Sequence, residues 1–159
     1  MTIILIAERF NGPTWRPASP IPSRRYLEAM IRLGVYQRGP CREKLRSVGV
    51  EFNESMNLLP PDPRTASWDR ALARSVATYI TEESGWDTLL LCGRAVTQAF
   101  AAPTVQYGEP FYSNGVQHIV VPYPFGLRWW WGNTENRIRL KELLDERLST
   151  SRPSAAVPS

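Results

Sequence analysis

Short apolar runs alternate with amphipathic segments along this chain. Continuous runs rich in Val, Ile and Leu are typical of strands buried on both faces, and apolar residues spaced three and four apart are typical of helices. The strands are predicted at residues 2–7, 52–59, 86–92 and 116–121. The helices are predicted at residues 24–34, 40–48, 68–83, 94–102 and 133–148. This alternation favours an α/β three-layer sandwich with a central, mostly parallel four-stranded sheet.

One domain holds all of these elements. Residues 1–148 contain every predicted strand and helix, and 159 residues is an ordinary length for a single hydrophobic core. Residues 149–159 are mostly Ser, Pro and Ala with little apolar surface to bury, so we expect them to form a disordered tail.

The loops that follow the strands are the candidate functional segments, because parallel sheets bind ligands beyond the carboxyl ends of their strands. They cover residues 8–13, 57–61, 93–94 and 122–131. The last contains three consecutive tryptophans, Trp129 to Trp131, which cannot all face one core. Either their rings stack on bases while Arg128 contacts phosphate, or two of them pack beneath the sheet edge and the last helix.

Charge and composition narrow the partners only slightly. Nineteen Lys and Arg against fifteen Asp and Glu give a net charge of +4. Nearly all of the basic residues are arginine, whose guanidinium suits phosphate binding. A high arginine content is equally expected of a protein from a GC-rich genome. No apolar run is long enough to cross a bilayer and no leader precedes the first strand, so we expect a cytoplasmic protein without a membrane partner. Two cysteines and one histidine, His118, provide no metal site, and no cofactor is expected.

Three segments carry a set of motifs in a fixed order. Residues 55–61 read Ser-Met-Asn-Leu-Leu-Pro-Pro, residues 89–95 read Leu-Leu-Leu-Cys-Gly-Arg-Ala, and residues 122–127 read Pro-Tyr-Pro-Phe-Gly-Leu. Together they resemble the uracil-DNA glycosylase superfamily. Those enzymes have a strand whose asparagine reads the flipped pyrimidine, an apolar strand followed by a glycine turn, and a His-Pro-Ser loop with a wedge leucine.

The last motif departs from the family at the chemically important positions. Leu127 falls at the intercalating leucine, but Tyr123 replaces the catalytic histidine and Phe125 replaces the serine. The resemblance makes Asn57 the base-reading asparagine, whereas a strand-end asparagine bonded to local backbone is the alternative. Because the uracil-reading set is altered, the expected substrate is a modified base.

The first loop, Glu8-Arg9-Phe10-Asn11-Gly12-Pro13, resembles the family's first motif in two alternative registers. In one, Glu8 keeps the polar position and Arg9 stands where other members hold the water-activating aspartate. In the other, Asn11 replaces that aspartate. Either Glu8 activates or orients water, or Asn11 does, and Tyr123, Arg9 or Arg128 stabilises the departing anion.

The resemblance thus implies three sets of site residues. Catalytic roles fall to Glu8, Asn11 and Tyr123. Substrate contacts fall to Arg9, Phe10, Asn57 and Phe125. Nucleic-acid contacts fall to Leu127, Arg128, Trp129 and Trp130.

Three functions stay open from the sequence. The first is a glycosylase-like protein that recognises a flipped base and hydrolyses its N-glycosidic bond. The second is a module on the same scaffold that holds DNA or another partner without catalysis. The third is a hydrolase of free nucleotides or nucleosides. The expected partner is therefore DNA or a nucleotide, and the sequence does not determine the oligomeric state.

Overall fold

The computed structural model describes residues 2–8, 22–32, 39–59, 69–104, 106–124 and 126–151. The strands are β1 (Ile3–Ala7), β2 (Glu54–Asn57), β3 (Thr88–Cys92), β4 (Pro110–Ser113) and β5 (Val116–Val121). The helices are α1 (Arg24–Arg32), α2 (Gly39–Ser47), α3 (Arg70–Glu83), α4 (Arg94–Ala99), α5 (Arg128–Trp131) and α6 (Thr134–Ser151).

The strands form one sheet in the order β2-β1-β3-β5-β4. The first four of these are parallel, and only β4 runs antiparallel, against β5. The prediction of an α/β fold around a mostly parallel sheet is confirmed. The sheet has five strands among the described residues, one more than the sequence pattern indicated.

The additional strand comes from a tight hairpin. Asn114 and Gly115 both have positive φ and join Ser113 to Val116, which are direct partners in the sheet. An Asn-Gly pair with this geometry is the preferred two-residue hairpin turn, because its twist matches that of the flanking strands. β4 begins with a proline and spans only four residues, so its apolar pattern is too short to predict a strand.

Both faces of the sheet are covered by helices, as a three-layer sandwich requires. Along β1, Ile3, Leu5 and Ala7 pack with residues of α2, α5 and α6. The alternate residues Ile4 and Ile6 pack with residues of α1, α3 and α4. This two-sided burial explains why the strands read as continuous apolar runs.

Side chains cap the first turns of two helices. Asp69 caps α3, since its Oδ1 accepts a hydrogen bond from the Leu72 N–H at 3.0 Å. Asn133 caps α6, accepting from the Asn136 N–H at 3.1 Å. That helix continues to Ser151, three residues beyond the predicted end of the domain. Residues 152–159 lie outside the described part of the chain.

None of the helices in the described ranges combines the length and apolar character needed to cross a membrane.

Candidate functional site

The strand order reverses direction at the boundary between β1 and β3. From β1 the chain passes to β2 on one side, and it then returns across β1 to β3 and β5 on the other. In open parallel sheets a crevice forms at such a reversal, beyond the carboxyl ends of the two strands. Glu8 follows β1 and Gly93 follows β3, so both residues lie at this point.

A cavity of about 480 Å³ opens at these strand ends. It is called the site cavity below, and its lining comes from the ends of β1, β3 and β5 and from two loops. The lining residues are Glu8, Gly93, Arg94, Thr97, Tyr107, Val120, Val121, Tyr123 and Leu127. Small-molecule sites commonly measure about 300 to 1,000 Å³, so the site cavity can hold a nucleobase or nucleoside. Three of the four loops nominated from the sequence therefore meet in one place.

Glu8 is held against the start of α4. Its Oε1 accepts a hydrogen bond from the Ala95 N–H at 3.2 Å, and a Cβ on Gly93 would lie only 2.8 Å from that oxygen. Gly93 also has φ +102°, a conformation that side chains rarely adopt, so glycine is required here for two reasons. The Glu8 carboxylate thus caps a short helix whose own cap residue has no side chain.

Tyr107 also lines the site cavity, although it is not among the site residues predicted from the sequence. Burial raises the pKa of its hydroxyl, and the nearby Cys92 thiol adds to the rise. The hydroxyl is therefore a proton donor at neutral pH. Gly108 fixes the segment that carries Tyr107, because its N–H bonds to the Val120 carbonyl at 2.9 Å and a Cβ at this position would lie only 2.9 Å from Leu140 Cδ1. Tyr107 belongs to no periodic pattern of apolar residues. Its position before Gly108 indicates a turn but not a place in the site cavity.

Asn57 is fully buried at the carboxyl end of β2, beside Ala7 of β1. Neither its amide oxygen nor its amide nitrogen has a hydrogen-bond partner among the described residues. Native proteins rarely leave a buried amide unpaired, because the lost solvation costs about 1 to 3 kcal/mol. Asn57 does not line the site cavity, but the Leu59 N–H bonds to the Glu8 carbonyl at 3.3 Å and joins the two strand ends.

The loop after β5 is anchored from two directions. The Trp131 indole N–H donates to the Tyr123 carbonyl at 2.9 Å, and Lys44 Nζ donates to the Pro124 carbonyl at 2.9 Å. The Lys44 ammonium also lies 4.6 Å from the centre of the Trp131 ring. These contacts hold the half-buried Tyr123 on the wall of the site cavity.

Leu127, the residue predicted to act as the wedge, lines the site cavity. Its backbone is left-handed, with φ 50° and ψ 42°, and its half-buried side chain packs on the core. Its contact with DNA stays a prediction. Arg128, the next residue, is exposed at the start of α5.

The three tryptophans divide between core and solvent. Trp130 and Trp131 are 6% and 9% exposed and pack edge to face, whereas Trp129 is 72% exposed. The ring of Trp130 packs edge to face on Tyr107 within the core, which leaves little of its surface for the predicted contact with nucleic acid. Two of the three rings are thus structural, which was one of the alternatives left open by the sequence.

Four of the predicted site residues lie outside the described residues: Arg9, Phe10, Asn11 and Phe125. The two registers of the first motif therefore stay open.

His118 is buried on β5, stacked on Phe111 with ring centres 4.8 Å apart, and burial lowers its pKa. It is a packed histidine, as expected, and it does not line the site cavity.

Neither a scan against models of protein families nor a search of curated proteins gave a significant match for this chain. The likeness to uracil-DNA glycosylases therefore rests on the motifs alone. In the described ranges, no three His, Cys, Asp or Glu side chains are grouped closely enough to hold a metal ion.

The chemistry available in the site cavity is that of one carboxylate and two phenols. Glu8 can orient or deprotonate a water molecule, and Tyr107 and Tyr123 can donate hydrogen bonds to an anion or a carbonyl oxygen. Arg94 adds a positive charge at the exposed rim. Apolar walls from Val120, Val121 and Leu127 lower the local dielectric and strengthen each of these interactions.

Proposed function

We propose that this protein is glycosylase-like: it binds a modified base extruded from DNA in the site cavity and hydrolyses the N-glycosidic bond. The observation that carries the proposal is the meeting of Glu8, Tyr107 and Tyr123 around one cavity of nucleobase size. The motif resemblance to uracil-DNA glycosylases supports the same class of reaction.

In this mechanism the Glu8 carboxylate accepts a proton from water as its oxygen attacks the sugar C1′ atom. The bond from C1′ to the base nitrogen breaks, and the base leaves with the electron pair. Hydrogen bonds from the Tyr107 and Tyr123 hydroxyls stabilise this anion, the role that a histidine has in the uracil enzymes. The leaving base finally takes up the proton that Glu8 accepted from water, directly or through solvent, so Glu8 returns to its carboxylate form and charge and atoms balance.

Asn57 supplies selectivity in this proposal. Its buried amide has no partner among the described residues and offers a donor group and an acceptor, which match the edge of a pyrimidine. A site with buried polar groups rejects a ligand that leaves them unpaired, often strongly. The amide lies at the β2 end of the sheet, outside the lining of the site cavity, so this role requires the buried amide to become accessible to the base when DNA binds.

Base binding without hydrolysis is a second candidate, favoured by one contact. The hydrogen bond from Ala95 to Glu8 gives that carboxylate a structural role, which needs no catalysis to explain it. A protein of this kind would bind DNA in a salt-dependent manner and leave every base attached.

Base release separates the two candidates. The purified protein is incubated with oligonucleotides that carry uracil, 5-substituted pyrimidines or deaminated purines, and with the matching free nucleosides, and released bases are measured by mass spectrometry. Release from an oligonucleotide supports the glycosylase. Release from nucleosides alone indicates a hydrolase of free nucleosides, and salt-sensitive binding without release supports the non-catalytic module. Neither binding nor release would overturn both candidates.

A further inference from the structure

A second cavity of about 420 Å³ lies beside the site cavity, and Tyr107 lines both. It is called the Trp129 cavity below. Its wall includes the rings of Trp129 and Trp130 and the polar side chains of Gln106, Asn136 and Arg139. An aromatic surface, two amides and a guanidinium therefore adjoin the place where the extruded base is proposed to bind.

Trp129 has the geometry of a stacking platform. Its ring is 72% exposed, while the next two residues on the same helical turn are buried in the core. Trp130 packs on Tyr107, and Trp131 is bonded to the Tyr123 carbonyl. The backbone beneath Trp129 is consequently fixed, and a tryptophan ring, with only two side-chain torsions, loses little conformational freedom when a planar group stacks on it.

We propose that the Trp129 cavity binds the nucleotide next to the extruded one, with its base stacked on Trp129 and its phosphate held by Arg139. The inference rests on the proposed function, since it assumes DNA as the ligand of the neighbouring site cavity. It is argued from continuity between the two cavities through Tyr107 and from the charge of Arg139 at the rim. The amides of Gln106 and Asn136 face the same space and can bond to base edges.

Stacking on Trp129 also accounts for the position of Leu127. An extruded base leaves a gap in the stack, and proteins often fill such a gap with an apolar side chain. The Leu127 side chain forms part of the wall of the site cavity. Trp129 is an exposed large apolar side chain beside the site cavity and is available to stabilise the flanking base.

The test uses DNA whose target position cannot be cleaved. A duplex carries a tetrahydrofuran abasic analogue with 2-aminopurine as its neighbour, and both affinity and 2-aminopurine fluorescence are measured with the full-length chain. Base stacking on an aromatic side chain corresponds to about a 5-fold to 150-fold change in affinity, so we expect Trp129→Ala to weaken binding within that range. We also expect the wild type to quench the fluorophore, Trp129→Phe to quench it largely as well, and Trp129→Ala to leave it bright.

Two further variants complete the design. Tyr112→Ala removes another exposed aromatic ring, 66% exposed on the edge strand β4 and outside both cavities, and should leave affinity unchanged within about 2-fold. Arg139→Gln should lower the slope of log affinity against log salt by about one, as expected for the loss of one phosphate contact. Thermal unfolding of each variant checks that it is folded.

The outcomes separate this inference from the proposed function. Wild-type binding that Trp129→Ala leaves unchanged overturns the inference, while base release, measured separately, still decides the glycosylase. Loss of quenching in Trp129→Ala without base release by the wild type supports the Trp129 cavity and removes the catalytic proposal. A wild-type protein that does not bind this duplex overturns the inference as well.

Discussion

The Glu8 carboxylate accepts a hydrogen bond from the Ala95 backbone N–H at 3.2 Å, although 87 positions separate the two residues in the sequence. This contact ties the end of β1 to the start of α4 and faces Glu8 toward the site cavity. The same carboxylate therefore has a structural role that is visible and a catalytic role that is proposed. Substitutions that change its charge and its hydrogen bonding separately distinguish the two.

Glu8→Gln retains an oxygen that can accept from Ala95 but removes the negative charge. We expect its free energy of unfolding to stay within about 0.5 kcal/mol of wild type, and base release to fall by about 100-fold to 10,000-fold. Glu8→Ala removes the helix cap as well and should lower stability by about 0.5 to 2 kcal/mol. Chemical denaturation and base-release rates measure the two effects. Wild-type activity in Glu8→Gln would leave Glu8 with the structural role alone.

Asn57→Leu tests the unpaired amide at the end of β2. Replacing a buried polar group that has no partner by an apolar one of similar size should raise the free energy of unfolding by about 1 to 3 kcal/mol. The same variant should lose discrimination among bases. Ser55→Ala is the matched control. The Ser55 hydroxyl is also buried without a partner among the described residues, but Ser55 lies two positions before the strand end. A destabilised Asn57→Leu would mean that the amide is paired in solution.

Tyr107→Phe removes a hydroxyl and keeps the ring that packs on Trp130. Burial raises the pKa of Tyr107, so the wild-type phenol is protonated at neutral pH and can donate to a developing anion. Loss of one such donor typically slows the chemical step by about 100-fold to 1,000-fold. Tyr123→Phe is compared in the same single-turnover assay. Equal rates for Tyr107→Phe and wild type would assign anion stabilisation to another group.

His118 should make stability depend on pH. Burial holds its pKa below the ordinary value of 6.5, so the unfolded chain binds a proton that the folded protein does not. The free energy of unfolding is therefore fully present above pH 6.5 and decreases as the pH falls from 6.5 toward the lower folded pKa. Stability curves between about pH 5 and 8 for wild type and His118→Gln measure this difference. A single imidazole NMR titration gives the folded pKa, since the chain has one histidine; a value at or above 6.5 contradicts the prediction.

The apolar periodicity of the chain was enough to place most of the fold. Four strands and five helices lie where it indicated, because a strand buried on both faces and an amphipathic helix each carry a local pattern. The fifth strand carries a weaker local signal, the Asn114-Gly115 pair between two β-prone segments. Only α5, a single turn of four residues, was too short to have a period of its own.

The sequence by itself determined the class of fold and the loops at which a ligand would bind, because both follow from the order of elements along the chain. Tertiary structure decided which side chains meet there. It brought Tyr107 into the site cavity, left the Asn57 amide without a partner in the part of the chain that the structure describes, and buried Trp130 while exposing Trp129. These outcomes depend on strand order and on contacts between distant residues, such as Glu8 with Ala95, and no local pattern of apolar and polar positions encodes such contacts.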